Sequence, residues 1–263
     1  MQSALFFDVD GTLIDSYHDN RRITSAVLAE LERVQSMGHK ILLSSGRPRN
    51  LLTPELLEPG FDGLVLINGG YVEMDGESVF EERMDLDLAH RTVEFLEGIR
   101  CEYLIVTADR TYMKPTNHGF IEFFSRWHDN IFEFDYDLDE VLTRAIKMEA
   151  LVAVEHRATV TALALETLGP EISCDGHGGA GTFELYPTAI SKAKGIEVAL
   201  ERLGIEANNA YGFGDGTNDL EMIRFCGCGV AMGNAEDAVK EAADIVCPPV
   251  WEDGLATVLR QLF

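Results

Sequence analysis

Short apolar segments that stop abruptly at small polar or glycine residues recur near the start of the chain. They span residues 4–7, 40–43 and 64–67, and each is followed by a cluster rich in Asp, Ser, Asn or Gly. Between the first two, apolar residues recur at helical spacing up to Gly38, which is placed to end a helix. This alternation predicts βαβ units and a parallel sheet that is buried on both faces.

The same alternation returns after residue 190. Ser191 is placed to cap a helix over 192–203, and Gly204 is placed to end it. Strands are predicted over 209–213, 227–232 and 244–246, with helices between them and a last helix over 251–262. The sheet therefore begins in the first part of the chain and resumes in the last.

The middle of the chain has a different pattern. Asp75-Gly76 separates two short strand-like segments, which predicts a β-hairpin. Beyond it we expect helices over 86–99, 117–127 and 138–145 and strands over 103–107, 148–155 and 182–186. We therefore predict an inserted α+β domain over residues 83–183 and a core of residues 1–82 and 184–263.

The chain is strongly acidic. Its 263 residues include 45 Asp and Glu against 21 Lys and Arg, a formal net charge of −24. Nucleic acids and anionic membranes bind to basic surfaces, so we expect neither as a partner. An anionic substrate would need local positive charge from a metal ion, a lysine or helix N-termini. Five scattered cysteines, with no signal peptide or membrane-length apolar segment, predict reduced thiols and a cytoplasmic location.

Polar residues follow several of the predicted strands, and the carboxyl ends of adjacent parallel strands share one edge of a sheet. These residues are Asp8, Asp10, Ser45, Gly46, Asp215, Asn218, Asp219 and Asn234, with Lys192 at a predicted helix start. Asp8 and Asp10 would repel each other, and a divalent cation would relieve that repulsion. Mg²⁺ prefers such oxygen ligands together with a substrate phosphate. Lys192, Ser45 and the Gly46 amide would then hold the remaining phosphate oxygens.

Each of these residues also has an ordinary interpretation. Asp8 and Asp10 are common turn residues, as are those of the Ser45-Gly46 sequence. Most lysines on helices are solvated, so Lys192 could be exposed. Asp219 could simply be an acidic residue that is favoured in the first turn of a helix.

The combination resembles a known family. Four motifs are similar, in order and spacing, to those of the haloacid dehalogenase-like phosphatases: Asp8-Val9-Asp10-Gly11-Thr12, Ser45-Gly46-Arg47-Pro48, Lys192 and Gly214-Asp215-Gly216-Thr217-Asn218-Asp219. The long insertion after the third strand resembles the Cof-type subgroup, whose cap domain is of type C2. Ser45 replaces the threonine that is more usual there and keeps the hydroxyl. The resemblance implies an α/β fold, a Rossmann-like doubly wound parallel sheet core with an inserted α+β cap domain.

The resemblance also implies a role for each motif residue. Asp8 would attack phosphorus and form an aspartyl-phosphate, and Asp10 would act as general acid and base. Mg²⁺ would be held by Asp8, Asp10 through its backbone carbonyl, Asp215 and, directly or indirectly, Asp219. The phosphate-binding residues would be Ser45, Gly46, Lys192 and Asn218, with Asn68 and Asn234 as weaker candidates for orientation.

The expected activity is Mg²⁺-dependent hydrolysis of a small soluble phosphomonoester, with a sugar phosphate as the expected substrate. Two alternatives use the same residues. A phosphomutase or phosphotransferase would deliver the phosphoryl group to an acceptor other than water, and a signalling module would keep Asp8 phosphorylated as a switch. No motif in residues 83–183 indicates the leaving group, which cap residues are expected to select.

Overall fold

A computed structural model describes residues 2–18, 20–125, 131–176 and 181–263. The chain divides into two compact units. Unit 1 comprises residues 1–47, 52–80 and 191–263, and unit 2 comprises residues 48–51 and 81–190. Within the described ranges, no helix has both the length and the apolar character needed to cross a membrane.

Strands and helices alternate through much of the chain. The strands are β1 (Ala4–Phe7), β2 (Lys40–Ser44), β3 (Gly63–Leu66), β4 (Tyr71–Met74), β5 (Glu77–Glu81), β6 (Glu102–Val106), β7 (Thr111–Met113), β8 (Phe132–Glu133), β9 (Lys147–Leu151), β10 (Ile172–Gly176), β11 (Thr182–Pro187), β12 (Ala210–Gly214), β13 (Cys228–Ala231) and β14 (Ile245–Val246). The helices are α1 (Ser25–Ser36), α2 (Leu86–Gly98), α3 (His118–Ser125), α4 (Leu138–Leu142), α5 (Val154–Leu168), α6 (Lys192–Leu203), α7 (Leu220–Phe225), α8 (Asp237–Ala242) and α9 (Gly254–Leu262).

Unit 1 is built on a sheet with the strand order β14-β13-β12-β1-β2-β3-β4-β5. The strands from β14 to β3 are parallel, and β4 is antiparallel to β3. Every residue of the central strand β1 is fully buried, as expected for a parallel strand covered on both faces. The predicted α/β fold with a parallel sheet core is confirmed.

Helix α6 begins and ends as the sequence predicts. The Ser191 side chain accepts a hydrogen bond from the Lys194 backbone N–H at 3.2 Å, and Gly204 ends the helix in a left-handed conformation. Ile196 and Leu200 on its buried face pack into the same hydrophobic cluster as Phe6 of β1. The start of α6 is thereby fixed relative to the sheet.

Unit 2 is an α+β unit with the strand order β10-β11-β9-β6-β7-β8. Its pairs are antiparallel except for β7 with β8. Residues of α2, α4 and α5 pack with one face of this sheet in a shared hydrophobic cluster, and Phe120 and Phe124 of α3 pack with Leu104 and Met113.

Some predicted elements of the middle region are wrong. The strand predicted over 148–155 ends at Leu151, and α5 and β10 were not predicted. Helix α5 leaves Val154, Leu163 and Leu165 exposed, so its apolar residues do not mark a single buried face. The helix predicted over 138–145 ends at Leu142. For the helix predicted over 117–127, residues 126 and 127 lie outside the described residues.

Unit 2 contains a buried ion pair. Lys147 of β9 and Glu184 of β11 are both almost fully buried, and the Lys147 amine contacts the Glu184 carboxylate. Burying two charges together opposes much of their mutual attraction, but an unpaired buried charge is far more unfavourable. Each residue therefore stabilises the folded protein chiefly by pairing with the buried charge of the other.

We expect Lys147→Met to lower the free energy of unfolding by about 3 kcal/mol, because it leaves the Glu184 charge without this partner. The double variant Lys147→Met/Glu184→Leu should recover most of that loss. Urea unfolding measured by circular dichroism tests both. A double variant that is less stable than Lys147→Met would contradict this account.

Candidate active site

Asp8 follows the central strand of the parallel sheet. Its backbone N–H donates to the Phe213 carbonyl at 2.9 Å, which continues the pairing of β1 with β12. The residue is 6% exposed, and its carboxylate accepts a hydrogen bond from Lys192 Nζ at 2.6 Å. Burial raises the pKa of Asp8 to about 7, with Asp219 adding to the rise and Lys192 opposing it.

Lys192 is a buried residue rather than a solvated helix lysine. As the first residue of α6 it is 1% exposed, and its amine donates to both Asp8 and Asp219. Burial alone lowers the pKa of Lys192, but the Asp219 and Asp8 carboxylates raise it above its ordinary value. The amine therefore stays charged and supplies a fixed positive charge.

Asp219 is held by donors on both carboxylate oxygens. Oδ1 accepts from Lys192, and Oδ2 accepts from the backbone N–H groups of Asp215 and Gly216 at 2.9 and 3.0 Å. Gly214 permits this fold of the loop, because a Cβ there would lie 2.4 Å from Asp219 Cγ. Asp219 is thus a fully buried acceptor inside the loop, and not a solvated residue at a helix start.

Asp215 connects two strand ends. Its carboxylate accepts from Asn234 Nδ2 at 3.1 Å and from Thr12 Oγ1 at 3.4 Å. Asn234 also donates to the Gly11 carbonyl at 2.9 Å. The turn after β1 and the loop after β12 are therefore joined through these polar side chains.

Asp8, Asp215 and Asp219 form a compact buried cluster, in which one oxygen atom from each residue lies within 4.8 Å of the other two. Three carboxylates beside a single lysine leave the cluster with excess negative charge. An all-oxygen donor set of this charge fits a hard divalent cation such as Mg²⁺. The Asp10 side chain lies outside this cluster.

Asp10 is paired with Arg47. Arg47 Nε and one terminal nitrogen donate to the two Asp10 carboxylate oxygens at 2.8 and 2.7 Å, a bidentate arrangement. Arg47 is largely buried, whereas the Asp10 side chain is 40% exposed. Arg47 belongs to one of the four sequence motifs, but nothing in the sequence predicts its pairing with Asp10.

Three of the predicted phosphate-binding residues follow the two strands that pair with β1 on either side: Ser45 and Gly46 follow β2, and Asn218 follows β12. Ser45 is 2% exposed, its backbone N–H donates to the Val65 carbonyl, and its Oγ accepts from the Arg47 N–H at 3.2 Å. Asn218 Nδ2 donates to Asn68 Oδ1 at 3.1 Å. Gly46 lies between Ser45 and Arg47 in the turn after β2.

Known proteins resemble the chain over almost its full length. A family model described as haloacid dehalogenase-like hydrolase matches residues 5–259. The protein named "Putative phosphatase YkrA" in Bacillus subtilis (strain 168) is 30% identical over 98% of this chain and 96% of its own length. The 5-amino-6-(5-phospho-D-ribitylamino)uracil phosphatase YitU of the same organism is 28% identical over 97% of this chain and 96% of its own.

Solved structures agree with this likeness. One, described as the HAD subclass IIB sugar phosphatase BT4131, matches with a TM-score of 0.87 and 27% identity over 99% of this chain and 98% of that one. A haloacid dehalogenase-like hydrolase from Bacteroides thetaiotaomicron matches with a TM-score of 0.85 and 26% identity over the full length of both chains. The resemblance drawn from the four sequence motifs is confirmed.

Gly11 offers a test of the packing between two site loops. It has φ +84°, and a Cβ there would lie 2.2 Å from Asp215 Oδ2. We expect Gly11→Ala to displace Asp215 and to destabilise the protein by clearly more than the roughly 1 kcal/mol of a left-handed alanine.

Gly76→Ala is the matched control. Gly76 has φ +77°, and a Cβ there would meet nothing within 4 Å, so this variant carries the backbone strain without the clash. Thermal unfolding of both variants measures the difference. Equal losses of stability would mean that the Gly11 to Asp215 contact imposes no constraint.

Proposed function

Because the chain belongs to the haloacid dehalogenase-like hydrolases and is a phosphatase of that family, we propose that it hydrolyses phosphomonoesters with Mg²⁺ and a covalent intermediate on Asp8. The buried Asp8 carboxylate, held by the Lys192 amine at the carboxyl end of the central strand, is the observation that carries this proposal. A carboxylate fixed in this way has little freedom to lose on reaching phosphorus.

The proposed reaction has two displacements at phosphorus. In the first, an Asp8 oxygen forms a bond to phosphorus, the bond to the leaving oxygen breaks, and Asp10 gives its proton to that oxygen. In the second, water attacks phosphorus and gives a proton to Asp10, and the bond to Asp8 breaks. Free phosphate leaves, and both aspartates return to their starting states.

Arg47 is proposed to hold the Asp10 carboxylate in a fixed orientation between the two proton transfers. Two parallel hydrogen bonds from a guanidinium require acceptors on both carboxylate oxygens. A protonated carboxyl has no net charge and its hydroxyl oxygen is a weaker acceptor, so the pair with Arg47 is weaker when Asp10 carries the proton that it gives as an acid.

The cluster of Asp8, Asp215 and Asp219 supports a metal site. Asp8 and Asp215 would be ligands, with the Asp10 backbone carbonyl that the resemblance implies. Asp219 already accepts from Lys192 and from two backbone N–H groups, which supports an orienting role beside the ion. Bound Mg²⁺ would offset the negative charge of Asp8 and of the phosphoryl oxygens.

The remaining phosphoryl oxygens would be held by Ser45, the Gly46 amide, Lys192 and Asn218. The positions of Lys192 and Ser45 support this assignment. Lys192 is the first residue of α6, Ser45 directly follows β2, and both residues are buried beside the end of β1. Hydrogen-bond donors that are fixed before the reaction stabilise developing charge more than mobile ones.

The proposed substrate carries its phosphate on a polyhydroxylated carbon chain, as a sugar phosphate does. Two similar proteins support this choice by name, since one is called a sugar phosphatase and the other acts on a phospho-ribityl compound. The acidic composition also favours substrates without large additional negative charge.

We propose that the protein is located in the cytoplasm, because a reducing compartment fits its cysteines. All five are free thiols, and Cys226 and Cys247 are buried. Disulfides are rare in reducing compartments.

Replacing Asp8 tests the nucleophile. We expect Asp8→Asn to abolish release of free phosphate from p-nitrophenyl phosphate, because an amide oxygen is a far weaker nucleophile than a carboxylate. Asp139→Asn, a charge change at a side chain that is 84% exposed in unit 2, is the control and should keep wild-type activity. Retained activity in Asp8→Asn would refute the assignment, and transfer of phosphate to an alcohol without free phosphate would favour a phosphotransferase.

Metal binding should depend on pH through Asp8. Burial raises the pKa of Asp8 to about 7, so below that pH Mg²⁺ has to displace a proton. We expect the apparent Mg²⁺ affinity to fall about tenfold per pH unit below 7, by calorimetry. Asp8→Asn should bind Mg²⁺ more weakly and with little of this dependence. A dissociation constant that is the same at acidic and neutral pH would contradict the proposed ligand.

A further inference from the structure

The residues directly after β3 have an unusual backbone. Ile67, Asn68 and Gly69 are consecutive and all have positive φ, at 53°, 55° and 95°. Asparagine and glycine tolerate this region, but a β-branched residue such as isoleucine is a clear outlier. Such strain persists where the surrounding structure enforces it, and it concentrates at functional sites. We call these three residues the left-handed turn.

The backbone of the left-handed turn supports the turn after β2. The Ile67 N–H donates to the Arg47 carbonyl at 3.2 Å, and the Asn68 N–H donates to the Ser45 carbonyl at 3.1 Å. These two bonds bracket Gly46. The residue that pairs with Asp10 and a proposed phosphate-binding serine are therefore both anchored to the left-handed turn.

Gly69 contacts the start of α6. A Cβ at Gly69 would lie 2.0 Å from the Ser191 carbonyl oxygen, and a Cβ at Gly195 would lie 2.8 Å from Gly69 Cα. The two backbones therefore approach each other as closely as only glycine allows. This contact fixes the position of the first turn of α6, and that turn carries Lys192.

The Asn68 side chain reaches the loop after β12. Asn68 is 2% exposed, and its Oδ1 accepts a hydrogen bond from Asn218 Nδ2 at 3.1 Å. An amide nitrogen has two hydrogens, so this bond orients the Asn218 amide and leaves its second N–H available to an anion. Asn68 itself is uncharged and adds no repulsion to a phosphate.

We propose that the left-handed turn is the positioning element of the phosphate site, and that Asn68 acts on phosphate binding through Asn218. This inference rests on the proposed function, because Asn218 is a phosphate ligand only there. One strained segment would then explain three contacts: those with the turn after β2, with the start of α6 and with the loop after β12.

A double-mutant cycle tests the role of Asn68. The variants are Asn68→Gly, which keeps the left-handed backbone but removes the amide, Asn218→Ala, and the double variant. The readout is the dissociation constant of inorganic phosphate in the presence of Mg²⁺, by calorimetry. We expect each single variant to weaken binding about threefold to tenfold, the range for one hydrogen bond. The double variant should bind no more weakly than Asn218→Ala alone.

Asp75→Gly is the matched control. Asp75 also has a left-handed backbone, at φ 54°, but it lies in the hairpin between β4 and β5 of the same unit. We expect unchanged phosphate binding in this variant. If Asn68→Gly does not fold, Asn68→Ala replaces it, because alanine also removes the amide, at the cost of strain in the left-handed backbone, and its loss of phosphate binding should likewise vanish in the Asn218→Ala background.

Losses that add in the double variant, or wild-type phosphate binding in Asn68→Gly, would overturn the inference. Hydrolysis of p-nitrophenyl phosphate by the unaltered protein separates this outcome from failure of the proposed function. An inactive wild-type protein contradicts the function, whereas additive losses in an active one contradict only the positioning role.

Discussion

The salt bridge of Lys192 with Asp8 and Asp219 is the interaction on which the rest of the site depends. Three carboxylates cannot be buried together without compensating charge, and Lys192 provides it between two of them. The lysine can do so only because α6 begins at residue 192, with its start capped by Ser191 and pressed against Gly69. A local feature of helix capping thus determines the electrostatics of a site built from distant segments.

The charges of the same cluster explain how a strongly acidic protein can bind an anionic substrate. A net charge of −24 repels phosphate at long range, but interactions at the site are governed by fixed charges at short distance in a poorly hydrated environment. Lys192 and Arg47 supply such charges. Neither is a free cation, because Lys192 is paired with Asp8 and Arg47 with Asp10. Excess negative charge remains at Asp8, Asp215 and Asp219, and this excess is what a divalent cation would balance.

The parallel core and the residues at its strand ends can be predicted from the sequence because both follow from local patterns. A buried parallel strand is a short apolar run, and its end is marked by polar or glycine residues, as for β1 before Asp8 and β12 before Asp215. The missed elements lack such patterns. Helix α5 has apolar residues on its exposed side, so its pattern marks no single buried face. Strand β10 alternates apolar Ile172 and Cys174 with polar Ser173 and Asp175, but over too few residues to form a short apolar run.

The missed contacts have a different cause, because they join residues that are far apart in the chain. Nothing near Arg47 indicates that its guanidinium reaches Asp10, and nothing near Asn68 indicates Asn218, which lies 150 residues away. Both pairs arise because β12, β1, β2 and β3 are consecutive parallel strands of one sheet, so that the segments after them lie along the same edge. Side-chain identity at each strand end could therefore be predicted locally, whereas the choice of partner is a property of the assembled sheet. A strained residue such as Ile67 is the sign of that global constraint, since its own preferences oppose the conformation that its neighbours impose.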